Sequence, residues 1–332
     1  MRPLVVGLGR SGAGLHAASL LRAGAVGDAW FAGPPLAFDP RPDAGARLEG
    51  VVRVTSLEHA ARLSDPAATV VHLCTPPSRR VALLGELAAL GFTRVLVEKP
   101  LAADRAQLAR LESLRRRHRL HIEVVAHWLS ARLTRELWQL TETQPLGPLR
   151  SIVFHQDKPR LLRGQSDDGH PSAFDVEIPH ALGVVLRLAG PATVARARCD
   201  DLRTETATRP LMGGARLTLD HESGVLTELR SDLTAPVQRR SVCLRFADGE
   251  VTGHYPISER DDHARLTLPG REPVIFRDDA LAAFLRDTYR RFAEGRQVTY
   301  AVHHAVVRLL CEAKERAAIV TPTGSPPLEA LP

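Results

Sequence analysis

Apolar positions recur with two different periods in the first 126 residues. Short, nearly continuous apolar runs predict strands at 3–7, 36–39, 51–54, 69–74, 95–97 and 121–126. Apolar residues spaced three or four apart predict helices at 13–23, 79–90 and 104–114. Strands that alternate with helices are typical of right-handed βαβ units, and unbroken apolar strands of a parallel sheet buried on both faces. We therefore expect a doubly wound α/β domain over residues 1–126.

The pattern changes after residue 126. Strand patterns dominate, at 149–155, 192–199, 215–219, 224–231, 241–246 and 251–255. Helical patterns lie at 180–188, 279–293 and 301–318. Successive strands without intervening helices predict a large, mostly antiparallel open sheet, so residues 127–320 are expected to form an α+β domain. The proline-rich segment 321–332 is expected to be a flexible tail.

Length and composition agree with two globular domains. The chain has 332 residues, of which 44% are hydrophobic and 25% are charged, and one domain typically takes about 150 residues. No run of about 18 apolar residues exists, and the apolar N-terminus continues into a glycine-rich turn without a signal-peptide cleavage site. We expect a cytoplasmic protein. The four cysteines form no C-x-x-C pair, which argues against a zinc site or a disulfide framework, and we predict no metal site.

The basic charge of the chain comes from arginine. The formal net charge is +6, and of the 44 basic residues only Lys99, Lys158 and Lys314 are lysines. The charges are scattered, and no zinc-finger, RNA-recognition or zipper pattern accompanies them, so we expect no nucleic-acid partner. An acidic substrate stays open.

A glycine motif lies directly between the first predicted strand and the first predicted helix. Gly7, Gly9 and Gly12 form G-x-G-x-x-G, with Arg10 and Ser11 inside it. The first glycine permits a tight turn, the second lets a pyrophosphate approach the backbone, and the third lets helix and strand pack closely. The helix N-terminus then supplies N–H donors and positive potential. This context predicts a dinucleotide site in a Rossmann-type domain.

The acidic partner of such a motif ends the second strand, and Asp39 is the candidate. It lies 32 residues after Gly7, farther than the usual interval of about 20, which predicts a looped insertion at 25–35. An aspartate there binds the ribose hydroxyls and repels a 2′-phosphate, which favours NAD. Arg41 and Arg10 could instead accept a 2′-phosphate, so NADP stays possible, and Asp39 could simply start a turn before proline.

Two further motifs follow later strands of the first domain. Thr75 and Pro76 end the fourth predicted strand, where open α/β sheets bind ligands. Glu98-Lys99-Pro100 follows the fifth. Together with the glycine motif, these residues resemble the Gfo/Idh/MocA family, the glucose–fructose oxidoreductase and inositol dehydrogenase group, over nearly the whole chain. The resemblance implies that Lys99 contacts a substrate hydroxyl and that Pro100, often after a cis bond in the family, shapes the cofactor pocket beside Glu98.

A second argument for Lys99 does not depend on the resemblance. This chain uses arginine at 41 of its 44 basic positions. A lysine among so many arginines suggests a place that needs a compact ammonium, whose pKa can fall on burial as that of arginine cannot.

The resemblance also implies a histidine and a carboxylate at the start of a helix. The family has Asp-x-x-x-His about ten residues before a glycine, and His180 lies ten residues before Gly190. The carboxylate does not keep this spacing, because Asp175 is five residues before His180 and Glu177 is three before it. We favour Asp175 as the catalytic carboxylate, through a one-residue bulge, and keep Glu177 as the alternative.

Two more positions are candidates for the substrate site. His127 follows the sixth predicted strand, where the family more often has Asn, Arg or Tyr beside the nicotinamide. Lys158 follows the first strand of the second domain, which leads toward the substrate cleft in the family, although an exposed loop lysine is equally compatible with the pattern. Arg80 stands where many family members have histidine.

The sequence thus favours an NAD(P)-dependent oxidoreductase that moves a hydride between nicotinamide and a secondary alcohol or ketone of a sugar, cyclitol or related polyol. His180 would be the general acid/base, and Lys99 would stabilise the developing alkoxide. The alternatives are an imine reductase, a redox-neutral enzyme that retains NAD, and a non-catalytic dinucleotide sensor. A homodimer or homotetramer through the C-terminal sheet is expected.

Overall fold

Two β-sheets follow each other along the chain, and the last two helices contact the cores of both. The computed structural model describes residues 1–25, 32–165, 170–258 and 261–319. The predicted tail at 321–332 and residues 26–31 of the predicted insertion lie outside the described residues.

The first sheet has six parallel strands. They are β1 (Arg2–Val6), β2 (Leu36–Phe38), β3 (Val52–Arg53), β4 (Thr69–Leu73), β5 (Arg94–Val97) and β6 (His121–Val124). Their order is β3-β2-β1-β4-β5-β6, the strand order of a Rossmann dinucleotide-binding sheet. Strands β1, β4 and β5 are almost fully buried, which explains their continuous apolar sequences. The carboxyl ends of β1 and β4 lie side by side, because Val6 pairs with Leu73.

The second sheet has eight strands. They are β7 (Leu149–Asp157), β8 (Ala192–Arg203), β9 (Thr208–His221), β10 (Leu226–Asp232), β11 (Arg239–Phe246), β12 (Gly249–His254), β13 (His263–Thr267) and β14 (Val274–Arg277). Their order is β14-β13-β12-β11-β7-β10-β9-β8, and only the pairing of β7 with β10 is parallel. The predicted combination of a doubly wound parallel sheet and a mostly antiparallel open sheet is confirmed. Strands β13 and β14 were not predicted, because they are only five and four residues long.

Within the described ranges, ten α-helices connect and cover the sheets. They are α1 (Ala18–Ala25), α2 (Leu57–Leu63), α3 (Pro77–Ala89), α4 (Arg105–Arg117), α5 (His127–Ser130), α6 (Arg132–Thr143), α7 (Leu161–Gln165), α8 (Ile178–Ala189), α9 (Ala280–Glu294) and α10 (Thr299–Ile319). A π-helical segment, Gly12–Ala17, precedes α1, and two 3-10 turns lie at Pro66–Ala68 and Ala173–Asp175. None of the helices within the described ranges is both long and apolar enough to cross a membrane.

The closing helices pack on both halves of the molecule. On α9, Phe284, Leu285, Tyr289 and Phe292 belong to a buried cluster with the first sheet. Helix α10 places Val307 and Cys311 against the first sheet and Val306 and Leu310 against the second. The N-terminus of α10 is held by Glu123 of β6, whose carboxylate accepts the N–H groups of Val298 and Thr299 at 2.9 and 3.1 Å. The division predicted at residue 126 stays a prediction, since residues on both sides of it share these cores.

Candidate active site

The glycine motif forms a tight turn between β1 and the first helix. Gly7 has φ +93°, in the left-handed region that favours glycine. A Cβ on Gly12 would lie 1.8 Å from the carbonyl oxygen of Gly7, so helix and strand can approach only without a side chain. A Cβ on Gly9, in contrast, would meet nothing within 4 Å, which leaves open space above the turn. The three glycines therefore occupy three different environments, as a phosphate-binding turn requires.

Thr75 and Pro76 border this turn at the end of β4. The Thr75 methyl group lies 3.0 Å from the position a Gly7 Cβ would take. Its hydroxyl oxygen is buried and has no hydrogen-bond partner within the described part of the chain. The buried Arg80 holds the loop in place, because its guanidinium donates to the carbonyl oxygens of Thr75 and Pro100. Arg80 therefore ties together the ends of β4 and β5.

Asp39 lies directly after β2 and caps the glycine turn. Its Oδ2 accepts the backbone N–H of Leu8 at 2.7 Å. The Arg41 guanidinium donates to both carboxylate oxygens at 3.0 Å, and this pairing lowers the pKa of Asp39 to about 2. The Arg41 side chain is 67% exposed, whereas that of Asp39 is 3% exposed. The carboxylate of Asp39 is thus buried under an exposed guanidinium.

Glu98 joins the glycine turn to the buried interior. It accepts hydrogen bonds from the Ser11 hydroxyl and from His16, whose Nε2 lies 3.0 Å from Oε1. The other ring nitrogen of His16 contacts His72 at 2.8 Å, and His72 contacts the Tyr289 hydroxyl at 2.9 Å. Burial alone would raise the pKa of Glu98, but His16 outweighs it and lowers that pKa to about 2. Ser11 therefore anchors the turn to the Glu-Lys-Pro segment.

Lys99 extends from the first sheet to the second half of the molecule. The Lys99–Pro100 bond is cis. The Lys99 Nζ donates to the carbonyl oxygen of Val176 at 2.7 Å. Burial lowers the pKa of Lys99, and the positive charges of Lys158 and Arg160 act in the same direction, while Glu177 and Glu98 oppose them. The ammonium thus lies among charged groups from both halves of the chain.

All three lysines of the chain bind the short segment that precedes α8. Lys99 binds the Val176 carbonyl, as described above. Lys158 Nζ donates to Glu177 Oε1 at 2.6 Å, and Lys314 Nζ donates to Asp175 Oδ1 at 2.6 Å. The second oxygen of Asp175 accepts from the Ser172 hydroxyl at 2.8 Å. One oxygen of Asp175 thus ties the segment to α10, and the other binds within the segment itself.

Glu177 is the carboxylate that accompanies Lys99. It is 6% exposed and immediately precedes α8. Burial would raise its pKa, but Lys158 and Lys99 together lower it, so the carboxylate is ionised. The structure thus assembles Lys99, Lys158 and Glu177 into one charged group. The preference for Asp175 over Glu177 stays a prediction, because each carboxylate binds one lysine, Lys314 and Lys158 respectively.

His180 packs within an aromatic group beside these charges. Its ring stacks on Trp128 at 5.5 Å and meets His127 edge-on at 4.8 Å. Burial and the positive charge of Lys99 lower the pKa of His180 well below its ordinary value, and burial lowers that of His127 to about 4. Their Nδ1 atoms have no hydrogen-bond partner among the residues that the structure describes. Both rings are thus neutral at pH 7 and can exchange hydrogen bonds with a ligand.

Several residues at this site escaped prediction. His303 of α10 is 1% exposed, neither ring nitrogen has a partner in the described ranges, and burial lowers its pKa to about 3. No sequence signal marks it, because α10 reaches the site only through tertiary packing. The positive charge of Arg240 also lowers the pKa of His180 and that of Glu177. The sequence could have indicated it, because Arg240 lies two residues before Val242 on β11 and so shares the buried face of Val242 and Leu244.

Comparison with known proteins supports the fold. No family model and no curated protein sequence matches this chain. Among solved structures, a 3-ketoreductase from Actinomadura kijaniata in complex with NADP and TDP-benzene is 18% identical, with a TM-score of 0.76 over 95% of this chain and 97% of that one. A levoglucosan dehydrogenase in complex with NADH and levoglucosan is 14% identical, with a TM-score of 0.77 over 96% and 97% of the two chains. An oxidoreductase from Agrobacterium radiobacter in complex with NAD+, L-tartaric acid and magnesium is 14% identical, with a TM-score of 0.72 over 96% of each chain. The chain therefore has a fold that these oxidoreductases share.

Proposed function

We propose that this protein is an NAD(P)-dependent oxidoreductase that acts on a secondary alcohol or ketone of a sugar, cyclitol or related polyol. The observation that carries the proposal is the contact of Lys99, at the carboxyl end of β5, with the Val176 carbonyl just before Glu177 and His180. Ligands of open α/β sheets bind at that edge. The similar solved structures include enzymes in complex with NADP, NADH and NAD+, and one of them with levoglucosan, an anhydrosugar.

The residues around the glycine turn fit a dinucleotide. The open space above Gly9 admits a pyrophosphate, and the start of the following helix offers N–H donors. The unpartnered Thr75 hydroxyl offers a donor to the cofactor at the end of β4. Asp39 lies where the adenosine ribose would bind, so we propose NAD as the preferred cofactor and NADP as the alternative. When bound, the cofactor supplies a hydride acceptor or donor.

His180, Lys99 and Glu177 then divide the acid–base work. In the oxidative direction, the substrate alcohol would lose its carbinol hydrogen as hydride to the oxidised cofactor and its hydroxyl proton to His180. A carbonyl would form as a result. A neutral imidazole is the form that accepts this proton. The Lys99 ammonium donates to the reacting oxygen and stabilises negative charge as it develops. Glu177 holds Lys158 and offsets part of the positive charge near Lys99.

The proposed function also covers localisation, assembly and metal use. We propose a cytoplasmic homo-oligomer that associates through the outer face of the eight-stranded sheet, and we assign no metal to the reaction. The unpartnered nitrogens near Lys99 favour an oxygen substrate over an imine, because the site offers both a proton acceptor and an oxyanion donor. A dinucleotide sensor would need neither.

The test combines cofactor binding with turnover. The purified full chain is titrated with NADH and NADPH by fluorescence, and a panel of polyols, aldoses and keto-sugars is assayed by cofactor absorbance. We expect micromolar cofactor binding, turnover of at least one panel member, and loss of turnover in Lys99→Met with cofactor binding kept. Absence of dinucleotide binding would refute the proposal, and full turnover by Lys99→Met would refute the assigned chemistry. Cofactor retained through purification would point to the redox-neutral alternative.

A further inference from the structure

Three neighbouring strands of the eight-stranded sheet place polar side chains in one row. In the register of the sheet, Gln156 of β7 lies between Ser231 of β10 and Arg240 of β11. Side chains two residues apart along a strand share a face, so Gln156 points to the same side as Phe154, and Arg240 to the same side as Val242. That side is the buried one, because Phe154 and Val242 are both fully buried. This polar row, Ser231, Gln156 and Arg240, thus occupies positions at the end of the core where apolar side chains would otherwise pack.

Each member of the row has a buried polar atom that no described residue binds. Gln156 is 1% exposed, and both its amide nitrogen and its amide oxygen lack a partner. The Ser231 hydroxyl and the Arg240 Nε also lack one, although Arg240 Nη1 donates to the Pro256 carbonyl at 2.8 Å. Buried polar groups are normally satisfied, and leaving them unpaired is costly. The row therefore requires a polar ligand or ordered water.

The row borders the proposed active site. Trp128 stacks on Phe154 at 5.6 Å and on His180 at 5.5 Å, and the Arg240 guanidinium lies 5.8 Å from the Trp128 ring centre. Lys158, two residues beyond Gln156, binds Glu177. A molecule that reaches His180 and Lys99 thus has the row beside it.

The charges around this space are unbalanced. Lys99, Lys158, Arg160 and Arg240 bring four positive charges, and Glu177 and Glu98 return two negative charges. Burial lowers the pKa of both Lys99 and Arg240, which shows that their positive charges are poorly solvated. An anionic ligand would relieve this imbalance. A guanidinium with a neighbouring amide and hydroxyl matches the planar, multiply accepting oxygens of a carboxylate.

We propose that Arg240, Gln156 and Ser231 form a subsite for a carboxylate carried by the substrate, so that the enzyme acts on a sugar acid rather than on a neutral sugar. This inference rests on the proposed oxidoreductase function. It makes the row a specificity determinant, while the hydride and proton transfers stay at Lys99 and His180.

The substrate test compares sugars that differ only in charge. D-Glucuronate and D-galacturonate are compared with D-glucose, D-galactose and D-glucose 6-phosphate, both in kcat/KM and in their effect on the fluorescence of bound NADH. We expect the uronates to exceed the neutral sugars on the order of 10–100-fold, as one charged hydrogen-bonded contact allows. Equal use of neutral sugars, preference for the phosphate, or no uronate effect on bound NADH would overturn the proposal. Turnover of neutral sugars would leave the oxidoreductase function standing, whereas absence of NADH binding would remove that function as well.

The variant test uses Arg240→Met and Gln156→Leu, with Arg239→Met as the matched control. Arg239 is the preceding residue on β11, and its side chain is exposed. Arg240→Met should abolish the preference for uronates with NADH binding kept, and Arg239→Met should leave the preference unchanged. Gln156→Leu should weaken uronate binding while the melting temperature stays equal or rises, because it removes a buried amide without partners. A clear drop in melting temperature with unchanged uronate binding would assign Gln156 a structural role and overturn the subsite.

Discussion

The Lys99 ammonium donates to the Val176 carbonyl oxygen at 2.7 Å, although 77 residues separate them. Lys99 follows strand β5 of the first sheet, and Val176 lies just before helix α8 of the second half. The contact fixes one N–H of the ammonium and leaves the others to a ligand. It also holds the end of β5 against the start of α8, where Glu177 and His180 follow Val176.

Substitution of Lys99 tests this geometry. Lys99→Ala should lower kcat on the order of 10²–10³-fold, the usual cost of removing one oxyanion donor. Lys99→Arg should also be poor, because the wide planar guanidinium cannot both bind the Val176 carbonyl and replace an ammonium against the substrate. Both variants should fold and bind cofactor, as measured by circular dichroism and NADH fluorescence. Full turnover by Lys99→Arg would mean that only positive charge matters at this position.

His180 should determine the acid limb of the pH–rate profile. Because burial lowers its pKa well below 6.5, the ring stays neutral and able to accept a proton at pH 7. The rate of the oxidative direction should therefore fall only at pH values well below 6.5. His180→Ala should lower kcat by roughly 10²–10⁴-fold and remove this limb. His118→Ala at the end of α4 serves as control, and an unchanged profile in His180→Ala would exclude His180 as the acid/base.

The two carboxylates before α8 should separate in their effects. Glu177→Gln removes the charge that Lys158 and Lys99 face, and misplacement of these groups should lower kcat by roughly 10²-fold. It should also cost stability, because Glu177 pairs with Lys158 at 2.6 Å. Asp175→Asn weakens the contact with Lys314 and should reduce the free energy of unfolding by roughly 1.5–3 kcal/mol, with kcat nearly kept. Urea unfolding and steady-state kinetics measure both effects.

Lys314→Met is the matched control for Asp175. It removes the partner of that carboxylate from α10 and should reproduce the stability loss of Asp175→Asn. The opposite pattern, in which Asp175→Asn lowers kcat and Glu177→Gln lowers stability alone, would support Asp175 as the catalytic carboxylate.

The sequence was most informative where the information is local. Apolar runs in the first half and alternating patterns in the second located strands β1 to β12, because the period of burial follows from the backbone geometry. The glycine motif defined its own turn for the same reason. Strand β9 is much longer than its predicted span of 215–219, since it runs over Thr208–His221. The scarcity of lysine pointed to Lys99. In the structure, Lys158 and Lys314 also make partly buried contacts, with Glu177 and Asp175, the neighbours of the Val176 that Lys99 binds.

The remaining features depend on contacts between distant parts of the chain. Asp175 and Lys314 are 139 residues apart, and His72 and Tyr289 are 217 apart. No local pattern relates such pairs. The contacts of Asp175 could not be predicted from the sequence, because it lies in a 3-10 turn, Ala173–Asp175, and its partner Lys314 belongs to α10.

Cofactor preference should depend on Asp39 and Arg41 in opposite ways. Wild-type protein should bind NADH more tightly than NADPH, since the fixed Asp39 carboxylate repels a 2′-phosphate. Arg41→Ala should strengthen that preference, because it removes the cation that neutralises Asp39. Asp39→Ala should relax the preference and also weaken the glycine turn, which loses its contact to Leu8. Fluorescence titrations with both cofactors measure this, and tighter binding of NADPH by the wild type would contradict the assignment to Asp39.

The buried pair of His16 and Glu98 should give stability a defined pH window. Burial alone would lower the pKa of His16, but the Cys74 sulfur and Glu98 raise it from 6.5 to about 10. That of Glu98 falls from 4.5 to about 2. A raised histidine pKa stabilises the fold fully below 6.5, and this contribution is lost as the pH rises through 10. A lowered glutamate pKa stabilises it fully above 4.5, and this contribution is lost as the pH falls through 2.

The difference in unfolding free energy between wild type and Glu98→Gln should therefore be greatest from pH 4.5 to 6.5 and decline on both sides. Urea unfolding across this range measures it. Glu315→Gln is the control, since Glu315 pairs with Arg105 at the surface and is 61% exposed, where ion pairs contribute little. A difference that is independent of pH, or that grows toward acid, would mean that His16 and Glu98 are not a charged pair. The Ser11 hydroxyl would then be what holds Glu98 to the glycine turn.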